Sequence, residues 1–196
     1  ALRTSVPVCD TKEHLPFLHE RLAAAGVRTV ERRLTTLDEA FVHGDVVVNA
    51  TGLGAAKLCD DAELVPVRGQ VVLVEGIDAA QALIDDTMDQ PIYIVPRGGD
   101  VVLGGTAQTG DARREVDDGD TRSILSACAR HLPAVAQARI REVKVGLRPF
   151  RSSVRLEAER RPDGRTIVHD YGHGGSGYTL GFGCAEQVAD LVQAIP

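Results

Sequence analysis

Six glycines fall within residues 168–183, in the stretch "VHDYGHGGSGYTLGFGCAEQVADLV", just ahead of an amphipathic run. Glycine admits backbone angles closed to other residues and removes the side chain, so a ligand or a second backbone can come close. A helix start adds unpaired N–H groups and roughly half a positive charge. Together these make a cradle for an anion or a cofactor. The same glycines are equally compatible with a tight turn and close helix-on-sheet packing.

His169 and His173 lie inside this stretch, four residues apart. A helical H-x-x-x-H pair binds zinc, but Asp, Tyr and Gly separate these two as the chain leaves a strand, so no metal is expected there. His14, His19, His43 and His131 have no ligand spacing among them and read as surface or helix-face residues. Cys9, Cys59, Cys128 and Cys184 form no C-x-x-C pair, and read as free thiols rather than a zinc site or a disulfide framework.

The glycine cluster needs a strand to lead into it and a helix to follow. "RTIVHD" supplies the strand, and Cys184, Val188, Leu191 and Val192 give the helix an apolar stripe for packing on a sheet. Near the start, Asp10 is a cap with Glu13 three residues on, Leu15, Leu18 and Leu22 form a core-facing stripe, and Gly26 is a stop. "VRTVERRL" then reads as a strand, and "GDVVVNATGLGAA" as a fully buried strand running into a glycine turn. The middle of the chain is β-rich, with "PRGGD" as a hairpin turn. Asp120 caps a further helix through "TRSILSACARHL", with Ile124, Cys128 and His131 or Leu132 on one face and Pro133 at its end. The expectation is an α/β chain, α+β overall, with a β-rich lobe inserted between two α/β pieces.

At 196 residues the chain holds one or two domains. A net charge of -6 leaves no electrostatic footprint for nucleic acid. No apolar run is long enough to cross a bilayer and no secretion signal opens the chain, so a soluble, unexported protein with no membrane partner is expected.

The stretch from His169 resembles the signature of FAD-dependent D-amino-acid oxidases: His, one residue, Tyr-Gly, two small residues, Gly, five residues, Gly, one residue, Ala. His169, Tyr171, Gly172, Gly174, Gly175, Gly177, Gly183 and Ala185 meet it, and Asp170 departs from the usual Asn or Ala. Three more blocks agree in order and spacing: "VVNATGLGA" with "VRGQ", "YIVP" with "VVLGGTAQTGD", and "GLRPFRSSVRLE". The family begins with a strand, a G-x-G-x-x-G turn and a helix that cradle the FAD pyrophosphate. No such N-terminal unit opens this chain, so it looks like the C-terminal two thirds of an oxidase. The resemblance implies a partial FAD-binding Rossmann-like domain in residues 1–60, a β-rich substrate and interface domain in 61–147, and a return to the FAD-binding domain with a C-terminal helix in 148–196.

The activity so implied is oxidative deamination of D-amino acids to 2-oxo acids, ammonia and hydrogen peroxide, with FAD and molecular oxygen. Hydride leaves the α-carbon for the flavin, so the protein must align carboxylate, amine and ring, and no side-chain acid or base is required. Arg148 corresponds to the substrate arginine and to a flavin contact. A planar guanidinium matches a carboxylate with two parallel hydrogen bonds, and Leu147, Pro149 and Phe150 argue for a sheltered setting, whereas most arginines sit in surface ion pairs. Tyr93 corresponds to the carboxylate-binding tyrosine; without the motif it would read as a core or sheet-face residue. Gly175 offers its carbonyl to the substrate amine, and Gly174, Gly175, Ser176, Gly177, Tyr178 and Thr179 line the isoalloxazine, with the helix start facing its pyrimidine edge. Thr51 and Leu34 correspond to further FAD contacts, chiefly through backbone.

A second family tyrosine is replaced by Asp89, and "IDDTMDQP" is shorter than the lid of eukaryotic members, so a more open pocket is expected. Neutral D-amino acids are the favoured substrates. The alternatives are a D-aspartate oxidase or related amine oxidase, for which Ala107 adds no basic residue and Arg97 is a loose candidate, and a non-catalytic fragment unable to hold FAD alone. In the fragment reading "VVVNATG" is left on an exposed sheet edge and the chain self-associates. "QAIP" carries no peroxisomal address, which makes the cytoplasm the default location; a homodimer is compatible.

Overall fold

The computed structural model describes residues 2–87 and 91–195. The chain divides after Arg33 into two compact units.

The first unit, Ala1–Arg33, holds helix α1, Thr11–Ala24. Asp10 caps it as expected, accepting from the Lys12 N–H at 3.0 Å, and Gly26 follows the last turn at φ +77°. The expected core-facing stripe does not form: no residue of α1 is buried, and Leu15 and Leu22 are about half exposed. Nor are residues 27–34 a strand. A β-ladder needs a partner backbone, and among the described residues none pairs with this segment.

The second unit, Leu34–Pro196, is built on one mixed sheet. Its strands are β1 (Val46–Asn49), β2 (Val65–Glu75), β3 (Leu83–Asp85), β4 (Ile92–Arg97), β5 (Asp100–Gly104), β6 (Gln108–Thr109), β7 (Arg139–Arg160) and β8 (Thr166–His173). They run in the order β1-β8-β7-β2-β5-β4-β3, with β6 beside β2. Among the described residues, only the β1–β8 pair is parallel. The β4–β5 turn is the expected glycine hairpin, with Gly98 at φ +60°.

Strand β7 carries the architecture. Its 22 residues pair with β2 along the first half and with β8 along the second, so it passes residue 147 without a break. The main core lies on one face of β2, β5 and β4. There Val72, Val74, Leu103 and Ile94 meet Ile124, Ala127 and Cys128 of helix α3, Asp118–His131. Asp117, not Asp120, caps this helix, accepting from the Asp120 N–H at 3.0 Å. Asp120 instead lies 2.7 Å from Nη1 of Arg68, a fully buried arginine that also donates to Gln108, Gln70 and the Glu115 carbonyl. That pair ties the start of α3 to the middle of β2.

Two smaller apolar clusters sit near β1 and β8, one around Leu37, Phe41 and Ile167, the other around Ala55, Leu64 and Tyr171. Ala55 opens the single-turn helix α2, Ala55–Leu58. β1 is not the fully buried strand its apolar run announces. It pairs only with β8 among the described residues, and Val48 is 47% exposed; a continuous apolar run has here been placed on a sheet edge. Helix α4, Gly177–Gln193, follows β8 through a 3-10 turn at Gly174–Ser176.

Candidate active site

Alternation along β2 sends Val72 and Val74 to the α3 core and therefore Val67, Gly69 and Val71 to the opposite face. The register carries that face across four strands: Tyr93 of β4 pairs with Gly104 of β5, Gly104 with Val71, Val71 with Lys144 of β7, and Val67 with Arg148. Arg148 and Tyr93 thus share one face although they stand 55 positions apart in sequence.

Glycines make room for both side chains. A methyl group at Gly69 would overlap the Arg148 guanidinium, and one at Gly104 would overlap the Tyr93 ring. The guanidinium lies flat on the sheet and donates from Nη1 to the Thr106 carbonyl at 3.0 Å. Tyr93 places its hydroxyl over Gly105. Burial pushes the Tyr93 phenol above its ordinary pKa, with the neighbouring Arg148 charge pulling the other way, so the hydroxyl is neutral at physiological pH and able to donate. A shallow concavity of about 340 Å³, lined by Gly69, Val71 and the β7 residues from Lys144 to Arg148, opens alongside.

The "GLRPF" block is also where the glycine turns arrive. A Cβ at Gly175 would sit 3.5 Å from Arg148 Cδ, one at Gly174 would meet the Phe150 ring, and one at Gly52 would touch Pro149 at 4.0 Å. Gly174 adopts φ +56°, a left-handed angle that favours glycine, and it is there that the chain leaves β8 for α4. Asp side chains cap α1 and α3, but neither the Gly174–Ser176 turn nor α4 has a side-chain cap, and no acid lies in the first turn of α4. Tyr178, Leu180 and Phe182 of α4 are exposed.

The remaining expected residues fall elsewhere. Thr51 lies beyond β1, ahead of the 3-10 turn Gly52–Gly54, and donates its hydroxyl to Asn49 Oδ1 at 2.7 Å, while Asn49 Nδ2 lies 3.2 Å from both His169 Nδ1 and Cys59 Sγ. Leu34 lies in irregular backbone ahead of the 3-10 turn Leu37–His43, not inside a strand. Asp89 lies outside the described residues.

A network that sequence reasoning missed supports the glycine turn from below. Buried Tyr171 donates to Asp61 Oδ2 at 2.8 Å, Arg155 Nη1 donates to the Tyr171 hydroxyl at 3.0 Å, and Arg151 Nε lies 3.0 Å from Asp61. Burial pushes the Tyr171 phenol up to about 12. Burial also works to raise the Asp61 carboxyl, but hydrogen bonds from Tyr171, the Glu63 N–H and Arg151 outweigh it, and the net shift is downward. His169 is buried and its pKa is lowered, first by that burial and then by the Arg155 charge. The signal was present in "RSSVRLE", whose Arg151 and Arg155 stand four residues apart.

The family model for "FAD dependent oxidoreductase" matches residues 3–191. The chain belongs to this family. Among curated members, a D-amino-acid oxidase of Streptomyces coelicolor is 45% identical over 188 residues, covering 95% of this chain and 58% of that protein. A human D-aspartate oxidase is 40% identical, covering 94% of this chain and 54% of that protein. Among solved structures, a glycine oxidase from Geobacillus kaustophilus superposes with a TM-score of 0.68 at 26% identity, over 78% of this chain and 42% of that one. The chain therefore spans less than two thirds of the length of the family members it matches. Among the described residues no helix is long and apolar enough to cross a membrane.

Proposed function

We propose that this chain carries the substrate-anchoring and flavin-facing part of an FAD-dependent D-amino-acid oxidase, acting on neutral D-amino acids with molecular oxygen. The observation that carries the reading is the placement of Arg148: seated on Gly69, beside the Tyr93 hydroxyl, with its stem against Gly175 at an uncapped helix start.

In this reading Arg148 and Tyr93 hold the substrate carboxylate, and the Gly175 carbonyl accepts from the amine. With both ends fixed, the α-carbon hydrogen has one direction left to point, which is orientation catalysis without a side-chain base. FAD, when bound, accepts the hydride. The residues present fit such a group. Backbone N–H groups at Gly174, Gly175, Ser176, Gly177, Tyr178 and Thr179 belong to turns with no side-chain cap and no acid in the first turn, and preorganised donors of this kind stabilise negative charge as it develops. Thr51 and Leu34 add backbone contacts, with residues 1–60 and 148–196 assigned to FAD binding and 61–147 to the substrate. A cytoplasmic homodimer is part of the same reading.

Neutral substrates are favoured over D-aspartate by one observation. Arg97, the candidate partner for a second carboxylate, is engaged by Asp100 at 2.8 and 3.0 Å. The test is an equilibrium titration of the purified chain with FAD, followed by anaerobic addition of D-alanine or D-aspartate. Saturable binding with bleaching by D-alanine is expected. A folded chain that leaves the flavin spectrum unchanged would overturn the reading in favour of a non-catalytic fragment, and faster bleaching by D-aspartate would overturn the substrate assignment.

A further inference from the structure

Three side chains that the proposed chemistry does not use converge where β8 gives way to α4. His173, the last residue of β8, places Nε2 3.2 Å from Asp170 Oδ1 and 3.4 Å from Cys184 Sγ of α4. All three ligand atoms lie within 4.8 Å of one another. Asp170 Oδ1 is buried and makes no hydrogen bond, although His173 Nε2 lies 3.2 Å from it.

An acid–histidine–thiol proton relay uses the two ring nitrogens separately, one toward the acid and one toward the nucleophile. Here a single nitrogen faces both partners, and Nε2 has either one proton or one lone pair to offer. A cation between the three atoms satisfies all of them at once. We propose that Asp170, His173 and Cys184 form a site for a zinc-class divalent cation. Tetrahedral zinc, with bonds of about 2.0 Å to nitrogen and oxygen and about 2.3 Å to sulfur, separates N from O by about 3.3 Å and N from S by about 3.5 Å. The two separations found here match. Imidazole and thiolate together select zinc over magnesium or calcium.

Three protein ligands leave a fourth position for water, and the Asp170 and His173 side chains retain 18% and 14% exposure, enough for an ion to enter. Binding deprotonates the Cys184 thiol, its proton passing to solvent. The bound ion joins the end of β8 to α4 and so pins the Gly174–Ser176 turn between them. Asp170 is the residue that departs from the oxidase signature, which gives this chain an anionic ligand where Asn or Ala would offer none.

The test is a titration of the reduced, anaerobic chain with Co²⁺ in a Cys9→Ser background, which removes the exposed competing thiol. Neither flavin nor turnover enters the readout. One Co²⁺ per chain is expected, with a thiolate-to-cobalt charge-transfer band and the intense visible bands of tetrahedral cobalt, both erased by one equivalent of Zn²⁺. Cys184→Ser should abolish the charge-transfer band. Asp170→Asn, which keeps size and thiol, should weaken Co²⁺ binding about tenfold or more, and it carries the test if the serine variant fails to fold. Absence of the charge-transfer band, its survival in Cys184→Ser, or unchanged affinity in Asp170→Asn would overturn the site.

Discussion

The guanidinium of Arg148 occupies the volume that any side chain at Gly69 would need. Gly69 therefore sets the position of Arg148 without touching substrate. Gly69→Ala should displace the guanidinium, the far end of a flexible side chain, and leave the backbone in place. A charge-assisted hydrogen bond contributes about 1.5–3 kcal/mol, so the KM for D-alanine of the flavin-loaded protein should rise by about tenfold or more with little change in thermal midpoint. An unchanged KM would separate Arg148 from carboxylate binding.

Tyr93 contributes one neutral hydroxyl to the same face. Tyr93→Phe keeps the ring on Gly104 and removes only the donor, a loss of about 0.5–1.5 kcal/mol. A severalfold rise in KM with stability preserved is the expected outcome of paired kinetics and urea unfolding.

At the start of α4, stability and function should respond in opposite directions to one charge. Ser176→Asp adds an anion at the positive end of the helix dipole, stabilising the fold by about 0.3–1 kcal/mol. The same charge opposes the negative charge of a reduced flavin. Calorimetry should show a higher midpoint and redox titration a lower flavin potential; a rise in both would argue against a flavin at this helix end.

Arg68→Met leaves Asp120 without its cation in a part-buried setting. Removing one member of a buried pair costs about 3–5 kcal/mol. The urea midpoint should fall accordingly, with near-native circular dichroism wherever the variant remains folded.

Titrating groups shape both ends of the stability plateau. The Tyr171 pKa is raised to about 12 from an ordinary 10.0, with burial the leading cause. Its contribution is complete below pH 10 and is lost as pH climbs from about 10 to about 12. The His169 pKa lies below its ordinary 6.5, burial again leading and Arg155 next. Its contribution is present above about 6.5 and is lost as pH falls below that value. Unfolding curves across pH should show both limbs. Tyr171→Phe should shrink the alkaline limb, which Tyr93 and the buried Cys128 thiol, raised to about 11, share, and His169→Asn the acid one.

What could be read from the sequence was local. The Asp10 cap, the Gly98–Gly99 hairpin and the strand–glycine–helix passage at residues 166–193 each declare themselves within a few neighbouring residues. The cap of α3 was misplaced by three residues because Asp117, Asp118 and Asp120 crowd the same turn. The strand expected at residues 27–34 failed because ladder formation depends on a partner backbone, which no single segment reveals. Arg68 was invisible for a similar reason: an arginine in a β-run reads as surface, and its partner Asp120 lies 52 residues away. Arg148, Tyr93 and Gly175 were singled out through the family blocks, while the glycine seats beneath two of them emerged only from the strand register.

β7 is also a mechanical element. Arg148 stands just ahead of its register shift, with β2 bonded along the strand before it and β8 beyond. In the proposed function, a strand held by neighbours on both sides of Arg148 leaves the gating of substrate entry and product exit to some other segment. The amides around residue 148 should accordingly be among the last in the molecule to exchange with deuterium.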